Sequence, residues 1–77
     1  MQYPEVLAAQ GVEGTAEIVY TVDDTGGAVD VTIKSASDPA FGAAAERAIR
    51  RTRFVPARRG LMNVRCTVQQ TMFFRIR

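Results

Sequence analysis

The chain is poor in groups that do covalent chemistry. It has no histidine, so the commonest general base and metal ligand is missing, and it has one cysteine, Cys66. A thiol becomes a nucleophile where cations or a helix N-terminus lower its pKa. Cys66 instead shares an alternating face with Val64 and Val68, which predicts a buried structural side chain. Asp23 and Asp24 lie in a Gly-bearing stretch, where turn chemistry accounts for both. No P-loop, dinucleotide fingerprint or metal-ligand spacing occurs. The reading is a domain that is not an enzyme, with no catalytic residue, no metal and no cofactor.

Two non-covalent chemistries remain. One is cationic. The net charge of +2 hides a segregation: residues 1–38 hold seven acids against Lys34, and residues 39–77 hold nine arginines against Glu46. Arg47, Arg50, Arg51, Arg53, Arg58 and Arg59 are the cluster a phosphate backbone would need. The acids belong to the same small domain, so mutual neutralisation outranks a basic face, and no nucleic acid is expected. The other chemistry belongs to the backbone. An exposed sheet edge offers unpaired N–H and C=O groups to an extended peptide. By itself such an edge is as consistent with a harmless one guarded by Arg65, Arg75 and Arg77.

The elements that would build this edge can be read in order. Pro4 and Glu5 suit the start of a short helix over Pro4–Gln10, anchored by Val6 and Leu7, and Gly11 suits its end. Thr15–Val22 alternates, with Ala16, Ile18, Tyr20 and Val22 on one face. Asp23–Gly27 reads as a hairpin turn. A second strand follows over Ala28–Ser35, with Val29, Val31 and Ile33 inward and room for a bulge near the turn. Asp38 caps a helix begun by Pro39, whose inward face is Phe41, Ala45, Ala48, Ile49 and Thr52. Pro56 ends it, and Ala57–Asn63 is a basic loop. Val64–Ile76 is the last strand, long enough to overhang its partners, with Gln70 breaking an otherwise apolar face.

The predicted architecture is α+β, in the order α-β-β-α-β: a short N-terminal helix, a three-stranded antiparallel sheet of order 2-1-3, and one main helix packed on one face. The last strand is an edge. Seventy-seven residues make one domain, 1–77. Its core is thin, and net stability of ~3–5 kcal/mol would be ordinary. A hydrophobic fraction of 47% argues against disorder. No apolar run approaches ~20 residues, and no signal peptide is visible. Met1 directly precedes the first motif, so anchoring and targeting segments are expected outside this sequence.

Four phrases carry a resemblance: Tyr3-Pro4, Gly11-Val12-Glu13-Gly14, Arg50-Arg51-Thr52-Arg53-Phe54-Val55-Pro56 and Phe74-Arg75-Ile76. Each flanks a predicted element, and the ordered set resembles the C-terminal domain of TonB-type energy transducers. The resemblance implies a periplasmic docking module for the TonB box of outer-membrane receptors. The box would add a strand along Gln70, Thr71, Met72, Phe73, Phe74, Arg75 and Ile76, with Gln2 and Tyr3 beside it. It also implies an inner-membrane anchor and an ExbB–ExbD-type proton motor acting through the N-terminal region of the whole protein, which would energise uptake. Two departures stand out: Thr52 where the family often has Trp, and Gln70-Thr71 in place of an apolar residue and a common Pro. The alternative reading is a structural cell-envelope domain of the same fold that pairs with itself as a homodimer through the edge strand. A small nucleic-acid-binding domain ranks third.

Overall fold

The computed structural model describes residues 3–76. A five-residue helix, α1 (Glu5–Ala9), opens the chain, with Pro4 as its N-cap. Gly11, at φ 70°, closes it in the left-handed region. There the Val12 N–H meets the Leu7 carbonyl at 2.9 Å and the Gly11 N–H meets the Ala8 carbonyl at 3.1 Å, the paired bonds of a Schellman stop. A helix this short is held by packing, and Leu7 supplies it. Val6, expected as a second anchor, is 69% exposed, because so few turns present only one side chain to the core.

Strand β1 (Gly14–Val22) buries Ala16, Ile18, Tyr20 and Val22, and is the central strand. Its turn to β2 (Ala28–Ala36) is organised by one carboxylate. Asp23 Oδ1 accepts from the Thr25 N–H at 2.9 Å, the Thr25 hydroxyl at 2.7 Å and the Gly27 N–H at 2.9 Å. The β1–β2 register slips twice, between Glu17 and Ile18 and between Val19 and Thr21. Each slip places one extra residue on β2 and reverses its inward parity. Ala28, Val31, Ile33 and Ala36 therefore reach the core, in place of the expected Val29.

Helix α2 (Pro39–Arg51) starts as its sequence dictates. The Asp38 carboxylate accepts the Ala40 N–H at 2.8 Å, with Pro39 in the first turn. Phe41, Ala44, Ala45 and Ile49 are buried. Gly42 lets the helix approach β2: a Cβ there would stand 3.2 Å from Ile33 Cγ2. Thr52, expected on the inward face, is exposed; it is the C-cap, and its hydroxyl donates to the Ala48 carbonyl at 2.7 Å.

The basic loop contains a hairpin of its own, β3 (Ala57–Arg59) with β4 (Met62–Val64), turned at Gly60 with φ 60°. The last sheet strand, β5 (Cys66–Phe74), starts later and ends earlier than Val64–Ile76. All nine residues pair antiparallel with β1, so nothing overhangs. The sheet order β2-β1-β5 is the expected 2-1-3, with β5 at an edge.

The core is centred on Ile18, Phe41 and Phe74, whose side chains are fully buried. The Phe41 and Phe74 rings stack at 4.6 Å, and Tyr3 stands edge-on to both at 5.6 Å. Each such ring adds about 0.5–1.5 kcal/mol of pair energy to its burial. The core sits towards one end of the sheet, because thirteen helical residues rise about 20 Å while nine strand residues span about 30 Å. Cys66 lies at the far end, where no helix covers β5. It is a free, exposed thiol, not the buried one its alternation predicted.

Candidate functional site

A three-stranded sheet has two edges, and these two differ. The β2 edge is broken by both register slips, carries Asp30 at a positive φ of 53°, and bears Lys34. Bulges and charges are what discourage strand addition. The β5 edge has neither. It matches β1 residue for residue and holds no charged residue between Arg65 and Arg75.

Hydrogen bonds on the opposite side of β1 reveal which β5 groups are free. The Thr15 N–H donates to Ser37 Oγ, and the Thr15 carbonyl accepts from the Ser37 N–H, both at 3.0 Å. Thr15 therefore faces the β2 side, and the alternation of an antiparallel ladder turns Gly14 and Ala16 towards β5. Their partners Phe74 and Met72, and then Gln70 and Val68, direct their amides to β1. Thr67, Gln69, Thr71 and Phe73 are left with N–H and C=O groups on the open edge.

Side chains divide by the same parity. Those of Gln70, Met72 and Phe74 lie on the helix side. Gln70 departs from the apolar pattern because its Oε1 accepts the Tyr20 hydroxyl at 2.8 Å. Burial raises the Tyr20 pKa, so the phenol stays a donor in that bond. Thr71 and Phe73 project from the outer face. There the Arg75 guanidinium lies over the Phe73 ring at 5.1 Å, a cation–π contact.

The end of the edge is tied down from the segment before β1. A Glu13 carboxylate oxygen accepts the Ile76 N–H at 2.7 Å. Glu13, Thr15, Phe73, Arg75 and Ile76 line an open hollow of about 850 Å³. The Tyr3 hydroxyl donates to the Val12 carbonyl and lies 3.5 Å from that of Phe74. Loss of solvent around the Tyr3 phenol, with the nearby Glu13 charge, raises its pKa and keeps it a donor. Gly14 permits this close packing: a Cβ on it would fall 2.1 Å from Ser37 Oγ and 2.5 Å from the Phe41 ring.

A second hollow, of about 480 Å³, lies between the C-terminal half of α2 and β5. It exists because α2 packs over β2 and β1, leaving the helix-side strip of β5 uncovered. Ala48, Ile49, Phe54 and Met72 line it together with Arg47, Arg51 and Thr52.

Of the residues singled out in the sequence, Tyr3 and Phe74 are in contact and Phe73 and Arg75 are in contact. Gln70 pairs opposite Ile18, so it lies mid-strand, four residues from the Phe74 that Tyr3 touches. Phe74 is 1% exposed and offers no side-chain surface. Gln2 lies outside the described residues. Sequence reasoning missed Glu13 as the tie at the end of the edge. Of the arginine cluster read from the sequence, Arg47 and Arg51 line the second hollow.

The fold is that of a TonB C-terminal domain. The solution NMR structure of the Pseudomonas aeruginosa TonB C-terminal domain superposes with a TM-score of 0.84 at 25% identity, covering 97% of this chain and 77% of that one. Residues 1–76 match the family described as Gram-negative bacterial TonB protein C-terminal, and the chain belongs to that family. It is a family of transducer and interaction domains, not of catalysts. None of the curated protein sequences compared with the chain matches it. No helix among the described residues is long and apolar enough to cross a membrane.

Proposed function

We propose that the domain is a periplasmic docking module that takes the TonB box of an outer-membrane receptor as an added strand on β5. The observation that carries the reading is the contrast between edges: one bulged and charged, the other regular and uncharged. Main-chain bonds to Thr67, Gln69, Thr71 and Phe73 would supply affinity, and alternate side chains selectivity. Gln70, Met72, Arg75 and Ile76 would meet the ligand with their side chains, Phe74 would stiffen the strand from below, and Tyr3 would brace Phe74. Gln2 would lie beside the ligand. Family membership supports the further proposal of force transmission from an inner-membrane anchor and an ExbB–ExbD-type motor.

Affinity is expected in the ~micromolar range, because an extended peptide must be ordered on binding. An amide-shift titration with TonB-box-like peptides tests the reading. Shifts should follow the β5 edge from Thr67 to Phe73 and extend to Ile76. Shifts confined to Arg47–Arg59, and reproduced by oligonucleotides, would replace docking with a basic-surface function.

A further inference from the structure

The β3–β4 hairpin belongs neither to the three-stranded sheet nor to the lining of either hollow. Polar bonds fasten it in place. The Phe54 N–H donates to the Gly26 carbonyl at 2.9 Å, Arg53 Nη2 to the Thr25 carbonyl at 2.9 Å, and Asn63 Nδ2 to the Asp24 carbonyl at 3.3 Å. Gly26, at φ 90°, makes room, since a Cβ there would fall 2.3 Å from the Phe54 carbonyl oxygen. These bonds seat the hairpin beside the β1–β2 turn, at the end of the sheet where Cys66 pairs with Val22, away from Tyr3 and Phe74. Gly60 and Leu61 form its loop, between the paired Arg59 and Met62. Of the two loop residues only Gly60 has a positive φ, the mark of a type II′ turn, whose second position suits a polar residue. Here that position holds Leu61, 92% exposed, next to Met62 at 71%. Packing within the domain accounts for neither.

Cations stand just behind this apolar tip. Arg59 is opposite Met62 on the first rung and Arg58 opposite Asn63 on the second, both exposed, and Arg65 follows at the base of the hairpin. Two rungs are about 7 Å of strand. Neither Arg58 nor Arg59 is spent in the fold: the one ion pair among the described residues joins Arg50 to Glu46. No acid follows Glu46 in the chain. The acids of the neighbouring turn are Asp23 and Asp24, and Asp23 is already held by Thr25 and Gly27, with Arg65 nearby. A protruding apolar tip with unpaired cations set back from it offers no cleft to a folded partner. It suits a surface that yields. An anionic bilayer takes apolar side chains roughly 5–10 Å into its headgroup boundary and attracts cations at the phosphates above them. We propose that the β3–β4 hairpin is a membrane-surface anchor, inserting Leu61 and Met62 between the headgroups of anionic phospholipids while Arg58 and Arg59 bind their phosphates. The anchor needs nothing of the β5 edge and stands apart from peptide docking.

The test is cosedimentation with vesicles of two compositions, phosphatidylethanolamine with phosphatidylglycerol, and phosphatidylcholine alone. Binding should favour the anionic vesicles and fall with added salt. Leu61→Ser with Met62→Ser should weaken it roughly tenfold, and Arg58→Ser with Arg59→Ser by a similar factor. An unchanged circular-dichroism spectrum for each variant separates lost binding from lost fold. The chain has no tryptophan, so Leu61→Trp places a single reporter at the tip. Its emission should shift to the blue on anionic vesicles and be quenched by lipids brominated on their acyl chains. Val6→Trp, at an exposed position on α1, should do neither. Equal retention by the two vesicle types, or by neither, overturns the anchor. So does binding that survives the Leu61, Met62 double variant together with an unshifted Leu61→Trp emission, which is adsorption by charge alone. Oligonucleotide binding that matches the anionic vesicles and ignores the same double variant overturns it in favour of a nucleic acid.

Discussion

At the residue scale, small side chains and single charges carry unusual weight, because a 77-residue domain has little stability to spare. The Asp23 carboxylate holds the β1–β2 turn. Its pKa is lowered chiefly by the Thr25 hydroxyl, then by the Gly27 and Thr25 backbone amides. A depressed folded-state pKa means stability that is full above the ordinary value of 3.8 and lost as pH falls below it. Asp23→Asn should therefore destabilise the domain at neutral pH and flatten its acid-side stability profile, as urea titrations across that range would show. Phe41→Ala should cost about 3 kcal/mol, since it empties the centre of the aromatic cluster, and thermal melts should find the variant largely unfolded. Cys66 should label rapidly under native conditions, at the rate of an unstructured thiol peptide, because the helix ends short of it.

At the element scale, the parity of β5 makes a sharp contrast between neighbouring residues. Thr71→Pro removes an N–H that faces the open edge, so the β1–β5 ladder keeps its bonds. Met72→Pro removes one that pairs with β1. Thr71→Pro should fold and lose peptide docking, and Met72→Pro should lose the fold; circular dichroism with the titration above separates the two. The elements were also the most legible part of the sequence. Alternation located β1 and the inward parity of β5, and the Asp38-Pro39 pair located the start of α2. What alternation does not carry is the length of the cover. Cys66 and Phe74 share a face, and only the reach of α2 and the Tyr3 cluster decides that one is exposed and the other buried. The bulges were half legible. Ala28-Val29 signalled a parity break near the turn, whereas Lys34-Ser35 gave no sign of the second. The hairpin β3–β4 was hidden in a stretch of arginines, where charge masked the strand pattern around Gly60. Gln70 was legible as an anomaly, but its partner Tyr20 is fifty residues away and became visible only in the register.

At the scale of the whole molecule, the domain is drawn out along its strands, 48 × 20 × 16 Å, with a radius of gyration of 14.0 Å. A compact chain of this length would have about 11.5 Å. The extended shape leaves both long flanks of the sheet accessible, and their inequality sets how copies of the domain can combine. A head-to-tail contact needs two complementary surfaces and grows into a filament unless its rotation closes. Here β2 cannot serve as the second surface, since its slips, Asp30 and Lys34 deny a straight partner. Edge-to-edge pairing of two copies would therefore run β5 against β5, about a two-fold axis. The product would be a six-stranded sheet with a bulged β2 at each outer margin. Growth terminates at two copies, so concentrated solutions should plateau at dimer mass in sedimentation and stay free of fibres. Such a dimer would consume the docking edge of both partners, so receptor peptide and second copy would exclude one another.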